Sequence, residues 1–169
     1  GTEVGISEGV LTLEEKDGDY VVKKVSDKDI PEAAYRASTD HVTNYPALNE
    51  FVFGKIPESW LIGNYKKIYV GHMIDEAVRR NSSSGGILSG TQLYLLRKGK
   101  IDGAVTLRMR RDVPYLTEPT VARTDMEILE GAQSKYTVAP VNQVLADLTD
   151  FRSVAYTGLP EQIASVRKL

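Results

Sequence analysis

The feature that most constrains the fold of this chain is the alternation of helical and strand spacing along its second half. After a run of serines and glycines, one face of a predicted helix consists of Ile87, Leu88, Thr91, Tyr94 and Leu95. The next segment, AVTLRMR, alternates apolar and polar residues from Val105 to Arg110, which predicts a half-buried strand. Alternating helices and strands are typical of α/β sheets. We therefore predict an α/β fold, with α+β as the alternative, in which helices flank a mixed sheet.

Further segments of this half continue the alternation. The helix after the serines should end at Arg97, Lys98 and Gly99, because basic residues and glycine are favoured at the C-terminal ends of helices. TDME at 124–127 has the spacing of a capping box and predicts a helix over Asp125–Glu130. APVNQVLADL has helical spacing, SVAYTG is typical of a short strand, and LPEQIASVRKL predicts a final helix. KKIYVGHM predicts one more strand, over Lys67–Met73.

The N-terminal part has a different character. Residues 9–25 alternate on both sides of Asp17-Gly18, which predicts a small β-hairpin. Residues 26–66 contain three prolines and little periodicity, so we predict an irregular connector with short helical turns around YPALNEFVFG. We place a boundary near Asn44, between an N-terminal hairpin region, 1–44, and an α/β core, 45–169.

Composition excludes several classes of function. The net charge of -2 disfavours a nucleic-acid partner. No stretch reaches the roughly 18 apolar residues that a membrane helix needs, and GTEVGISEG does not resemble a signal peptide, so we expect a cytoplasmic protein without a membrane span. The chain contains no cysteine, which excludes disulfides and thiolate metal sites within it.

The first candidate site is the loop that precedes the helix at residue 87. It consists of Ser82, Ser83, Ser84, Gly85 and Gly86. Backbone N–H groups at a helix start lack internal partners, so such an entrance can bind phosphate together with the hydroxyl groups. Its spacing matches neither the P-loop nor the GxGxxG pattern. Plain N-capping by serine is the simpler explanation of these residues.

Two further turns are candidates. AYTGLPEQIASVRK places Gly158 and Pro160 at the entrance of the last helix, and such turns at strand ends often hold ligands in α/β sheets. GAQSKY offers Ser134, Lys135 and Tyr136, in which lysine can neutralise a phosphate and tyrosine can stack on a ring. A tight connection and a solvated lysine are the simpler explanations. The two histidines, His41 and His72, lack a partner pattern that would indicate catalysis or metal binding.

Taken in order, the three turns resemble the beta subunit family of coenzyme F420 hydrogenases and dehydrogenases. The signatures of that family are a Ser-Ser-Gly-Gly loop before a helix, a Gly-Ser-Lys-Tyr stretch followed by proline, and a Gly-Thr-Pro-Cys-Gln turn before an Arg-Lys helix. The resemblance implies FAD binding in an α/β core, with electrons passing between iron-sulfur clusters and a soluble acceptor, often coenzyme F420. It also implies partners, either other subunits of a hydrogenase-type complex or a ferredoxin-like donor.

The resemblance assigns residues as well. Ser82 to Gly86 would lie at the flavin or its diphosphate, and Ser134 to Tyr136 with Gly158, Pro160 and Gln162 would complete the pocket. The opening GTEVG resembles a cluster loop in which Glu3 replaces a cysteine, so residues 1–44 resemble a degenerate ferredoxin-like cluster domain. YRASTD also lacks a cysteine that the family would place there.

The last turn departs from the family as well. Leu159 and Glu161 stand where the family has threonine and cysteine, which would place the Glu161 carboxylate close to the cofactor. The family's later portion would follow Leu169, so we expect a core that is truncated at its C-terminus.

Three functions follow from these observations. The first is an FAD-dependent oxidoreductase subunit or fragment that transfers electrons or hydride between the flavin and coenzyme F420 or another redox partner. The second is a degenerate, non-catalytic assembly or interaction domain of the same family. The third is a nucleotide or sugar-phosphate binding module that uses the same helix entrances. An iron-sulfur cluster, although expected in the family, cannot be held by cysteines of this chain.

Overall fold

The computed structural model describes residues 1–38 and 42–169. Seven helices in this part of the chain are α1 Thr2–Gly5, α2 Glu32–Ala37, α3 Tyr45–Phe53, α4 Glu76–Arg80, α5 Ile87–Arg97, α6 Asp125–Glu130 and α7 Pro160–Arg167, and the five strands are β1 Leu11–Lys16, β2 Asp19–Lys24, β3 Gly103–Met109, β4 Thr117–Ala122 and β5 Val154–Tyr156. A 3₁₀ helix spans Val141–Asp147. The predicted α/β class, with a hairpin and an irregular connector before a mixed sheet, is confirmed.

The main sheet has three strands in the order β4-β3-β5. β3 pairs antiparallel with β4 and parallel with β5. β4 was not predicted from the sequence, because Pro119 interrupts its strand pattern. Pro119 pairs with Leu107 on an edge strand, where a missing backbone donor is tolerated.

The core lies on both faces of this sheet. One cluster joins Ala104 of β3 to Leu93 of α5 and Ile128 of α6. The other joins Val105, the next residue of β3, to Val141 and Val144 of the 3₁₀ helix. Because neighbouring strand residues point to opposite faces, β3 is covered on both sides, whereas the sequence predicted a half-buried strand.

Two predicted helix entrances are confirmed in detail. Thr124 caps α6 through a hydrogen bond from the Glu127 N–H, and the Glu127 carboxylate accepts the Thr124 N–H, which completes the capping box. α7 begins at Pro160, where the missing N–H of proline costs nothing.

The hairpin of β1 and β2 turns at Asp17-Gly18, both with positive φ, as predicted. α1, which the sequence did not predict, packs on the 3₁₀ helix, where a Cβ on Gly5 would lie 2.4 Å from the carbonyl oxygen of Asn142. The division into two units near Asn44 stays a prediction.

The predicted strand over Lys67–Met73 is wrong. These residues form no helix or strand, and Ile68, Tyr69 and Val70 are 69%, 81% and 102% exposed. The backbone of this segment meets the serine loop through a hydrogen bond from Met73 N–H to Gly85 O, 2.8 Å. A strand pattern without a neighbouring strand to pair with does not produce a strand.

The apolar face that the sequence places along α5 is only partly buried. Ile87, Leu88 and Tyr94 are exposed, while the buried positions of the helix are Gly90, Gln92 and Leu93. Gly90 is needed because the Met73 side chain packs on it, and a Cβ there would lie 2.1 Å from the Met73 sulfur.

Candidate functional site

The serine loop joins α4 to α5 and leaves the start of α5 open. The N-cap of α5 is Gly86, which has a φ of 73° and provides no side-chain cap. Ser82 Oγ instead donates to Val78 O at 2.7 Å. The serines therefore do not cap α5. Within the described chain, the N–H groups of residues 87–89 have no acceptor, so the positive end of the helix faces the space in front of the loop.

The second predicted turn touches the first directly. Ser134 N–H donates to Ser83 Oγ at 2.6 Å, across 51 residues of sequence. The turn follows α6, and Gln133 within it has a left-handed φ of 71°. Such a conformation costs a non-glycine residue on the order of 1 kcal/mol or more and is often found at functional sites. The geometry thus joins two of the sequence motifs at one place.

Lys135 provides a cation beside this contact. Its Nζ donates to the carbonyl oxygens of Ala132 and of Gln133, the latter at 3.2 Å. Burial lowers the pKa of Lys135 below its ordinary value of 10.5. Among the described residues no carboxylate pairs with Lys135. A partly buried ammonium group without a carboxylate suits an anionic ligand.

Two adjoining cavities lie around these groups. The first, about 390 Å³, is lined by Gly71, residues 82–89 and residues 131–134. The second, about 380 Å³, lies between α5, β3 and the entrance of α7. Leu88, Ser89, Gly131, Gln133 and Ser134 line both cavities. Each cavity falls in the size range of small-molecule sites.

The third predicted turn closes the second cavity. Gly158 and Gln162 line it, as does Lys135. The Gln162 side chain accepts the Leu159 N–H at 2.8 Å and donates to Ala139 O at 3.4 Å, so it mainly holds the start of α7.

Three residues lie apart from the cavities. Pro160 and Tyr136 line neither cavity, and Tyr136 is 94% exposed. Glu161, which the resemblance put near the cofactor, is exposed in the first turn of α7 and also lines neither.

Sequence reasoning missed the inner wall of the second cavity. Gln92, Thr106 and Thr157 line it. Gln92 is 6% exposed and donates through Nε2 to Thr157 Oγ1 at 3.0 Å. No pattern in the sequence indicated these residues, because Gln92 lies outside the predicted apolar face of its helix and polar side chains outside such a face are expected to be in solvent.

His72 lines neither cavity. His72 is exposed, and its Nδ1 lies 2.9 Å from Met73 O. His41 lies outside the described residues. Among the described residues, no group of three or more His, Cys, Asp or Glu side chains is arranged to hold a metal ion, and no helix is long and apolar enough to cross a membrane.

Comparisons with known proteins support the family resemblance. The model of the N-terminal region of the coenzyme F420 hydrogenase/dehydrogenase beta subunit matches residues 68–146, which include the serine loop and the Lys135 turn. Over these residues the chain matches the pattern of this family. The Coenzyme F420 hydrogenase subunit beta of Methanococcus voltae is 32% identical over 110 residues, which are 63% of this chain and 39% of that protein.

Two further relatives extend the comparison. The Coenzyme F420-dependent sulfite reductase of Methanocaldococcus jannaschii is 34% identical over 86 residues, which are 50% of this chain and 13% of that protein. A chain of the xenon-derivatised F420-reducing NiFe hydrogenase complex from Methanosarcina barkeri aligns with a TM-score of 0.54 and 27% identity, over 62% of this chain and 40% of that one. The chain thus spans about two-fifths of the hydrogenase relatives it matches.

Proposed function

We propose that the chain binds FAD in the two adjoining cavities and forms part of an oxidoreductase that transfers electrons or hydride between this flavin and coenzyme F420 or another redox partner. The observation that carries the proposal is the meeting of the three family turns around one pair of cavities. The names of the relatives support the F420-linked chemistry.

The residues present fit FAD in size and charge. A flavin dinucleotide carries a diphosphate, and the open start of α5 offers unpaired N–H groups and the hydroxyl of Ser84 to it. Lys135 lines the second cavity, next to Ser134, which lines both cavities, and can neutralise an anionic group. The second cavity has an apolar wall, formed by Val105, Leu107 and Val141, that suits a ring.

Bound FAD supplies the redox chemistry, and the protein supplies the position and the electrostatics. The helix start and Ser84 would hold the phosphates, and the β3 wall of the second cavity would exclude water from a ring bound there. Lys135 would place a positive charge in the second cavity, where it would stabilise negative charge on a reduced ring.

An iron-sulfur cluster does not fit this chain. Clusters of this family's kind are bound by cysteine thiolates, and the chain contains none. In the proposed function electrons therefore arrive from outside the chain, from another subunit of a hydrogenase-type complex, from a ferredoxin-like donor, or from reduced coenzyme F420.

The loss of the cysteines also favours a second function, a non-catalytic assembly domain of the same family that keeps the fold without the redox role. A nucleotide or sugar-phosphate module would use the same helix start. Two measurements separate these alternatives, namely binding of FAD and reduction of the bound FAD by reduced coenzyme F420. The assembly domain requires neither result, and the nucleotide or sugar-phosphate module does not require a flavin ring in its ligand.

The replacement Ser84→Asp tests the phosphate end of the site. Ser84 is exposed, lines the first cavity and precedes α5, so a carboxylate there is favourable to the helix dipole but repels a diphosphate. We expect FAD affinity, measured by titration calorimetry, to fall at least tenfold while the melting temperature is kept. The control is Thr149→Asp, an exposed position away from both cavities, which should bind FAD as the parent chain does. Equal affinity in both variants would contradict the phosphate assignment.

A further inference from the structure

Building on the proposed function, we propose that Gln92 recognises the polar edge of the flavin ring in the second cavity, by accepting a hydrogen bond from the ring's imide N–H. Gln92 lies on the buried face of α5 and lines this cavity. Its side chain is one of the few buried polar groups of the described core.

The hydrogen bonds of Gln92 determine which way its amide faces. Nε2 donates to Thr157 Oγ1 at 3.0 Å and lies 3.5 Å from Val105 O. A backbone carbonyl can only accept, so the nitrogen belongs on this side and the amide oxygen on the other. Gln92 is thereby held between β3 and the turn after β5, with its oxygen turned away from both.

That oxygen is an available acceptor. No described residue donates to Gln92 Oε1. Thr106 Oγ1 is the one side-chain oxygen or nitrogen atom of the described residues that is both fully enclosed and without a partner. Gln92 Oε1 is therefore not fully enclosed, and the cavity is the space that the Gln92 side chain lines. A buried side chain that presents an unused acceptor to a cavity is a recognition group for a ligand N–H.

The surroundings favour the flavin ring over the adenine of FAD. Both rings carry an N–H donor, but only the flavin gains negative charge when it is reduced. Lys135, whose ammonium group has no carboxylate partner in the described part of the chain, lines the same cavity. A cation stabilises a ring that becomes anionic, and it gives little electrostatic stabilisation to neutral adenine.

The test combines a changed ligand with a changed residue. Riboflavin, 3-methylriboflavin and ADP are each titrated into the parent chain and into Gln92→Met, which keeps the length and apolar packing of the side chain. In 3-methylriboflavin the imide hydrogen is replaced by a methyl group. In the parent chain we expect riboflavin to bind about tenfold more tightly than 3-methylriboflavin, as the loss of one hydrogen bond predicts. In Gln92→Met that difference should shrink towards one, and the affinity for ADP should be unchanged.

Several results would overturn the inference. Equal binding of riboflavin and 3-methylriboflavin by the parent chain removes the role of the imide N–H, even if FAD binds and the proposed function stands. A Gln92→Met variant that loses ADP but keeps riboflavin would place adenine in the cavity. If the parent chain does not bind FAD, the proposed function fails together with this inference. If Gln92→Met does not fold, the comparison of the two flavins in the parent chain still decides.

Discussion

The sheet region, residues 87–169, and residues 45–74, which are called the connector from here on, contain similar apolar residues but differ in whether those residues are buried. In the sheet region Val105, Ile128 and Leu93 are 0%, 1% and 2% exposed. In the connector Phe51, Leu61 and Val70 are 75%, 95% and 102% exposed. The first region has three strands that pair with one another and helices on both faces, and the second has a single helix, α3, and no strand. Burial in this protein therefore depends on available partners more than on apolar composition.

The most severe test of this contrast is to truncate one leucine in each region. Leu93→Ala removes a side chain from the core between α5 and the sheet, and we expect the free energy of unfolding to fall by about 2–5 kcal/mol. The matched variant Leu61→Ala alters an exposed side chain and should change it by less than about 0.5 kcal/mol. Chemical denaturation of both variants measures the difference. Equal losses would mean that Leu61 is buried in solution and that the contrast between the regions is wrong.

A smaller effect is expected from adding one methyl group. Gly5→Ala places a Cβ 2.4 Å from the carbonyl oxygen of Asn142, so α1 must move from the 3₁₀ helix, at a cost of about 1–3 kcal/mol. Gly71→Ala is the control in the connector, where the new Cβ meets nothing within 4 Å. Melting temperatures should fall for the first variant and stay within about 2 °C for the second. An unchanged melting temperature for Gly5→Ala would show that α1 does not pack closely on the sheet region.

Local signals made much of the fold predictable. Asp17-Gly18 specified the hairpin, and Thr124 with Glu127 specified the start of α6, because the interactions that hold these elements join residues near in sequence. The prediction of a strand over Lys67–Met73 was wrong, because strand pairing depends on a partner distant in sequence that the local pattern does not show.

The candidate site divides in the same way. The serine loop and the Lys135 turn were identified by their residue types, and their contact through Ser83 and Ser134 became visible only in the structure. Gln92 was missed because its burial depends on Thr157, 65 residues further along the chain. The buried position of Gly90 was missed because this glycine leaves room for the Met73 side chain, and the sequence does not show that Met73 packs there. Residue types thus revealed the turns, and long-range packing decided which other residues line the cavities.

The smallest expected effect concerns a hydrogen bond in the sheet region. Tyr156 OH donates to Asn142 Oδ1 at 2.7 Å, and burial raises the pKa of Tyr156 to about 12. Asn142 is 3% exposed and also donates to Thr2 Oγ1 and to Gln162 O. Tyr156→Phe leaves Asn142 Oδ1 without its donor. We expect the free energy of unfolding to fall by about 1 kcal/mol at neutral pH. Tyr69→Phe, at an 81% exposed position of the connector, should have no measurable effect.

The pH dependence separates the lost hydrogen bond from a general loss of packing. An unfolded tyrosine ionises near its ordinary pKa of 10.0, while Tyr156 keeps its proton to about 12 in the fold. Between these values the unfolded chain binds fewer protons than the folded one, so the free energy of unfolding falls as pH rises. The contribution of Tyr156 is complete below pH 10 and is lost by the time pH passes 12. The difference in unfolding free energy between the parent chain and Tyr156→Phe should therefore shrink over this range. A difference that stays constant with pH would mean that the phenol is not held in the buried network. This part of the sheet region would then be as open to solvent as the connector.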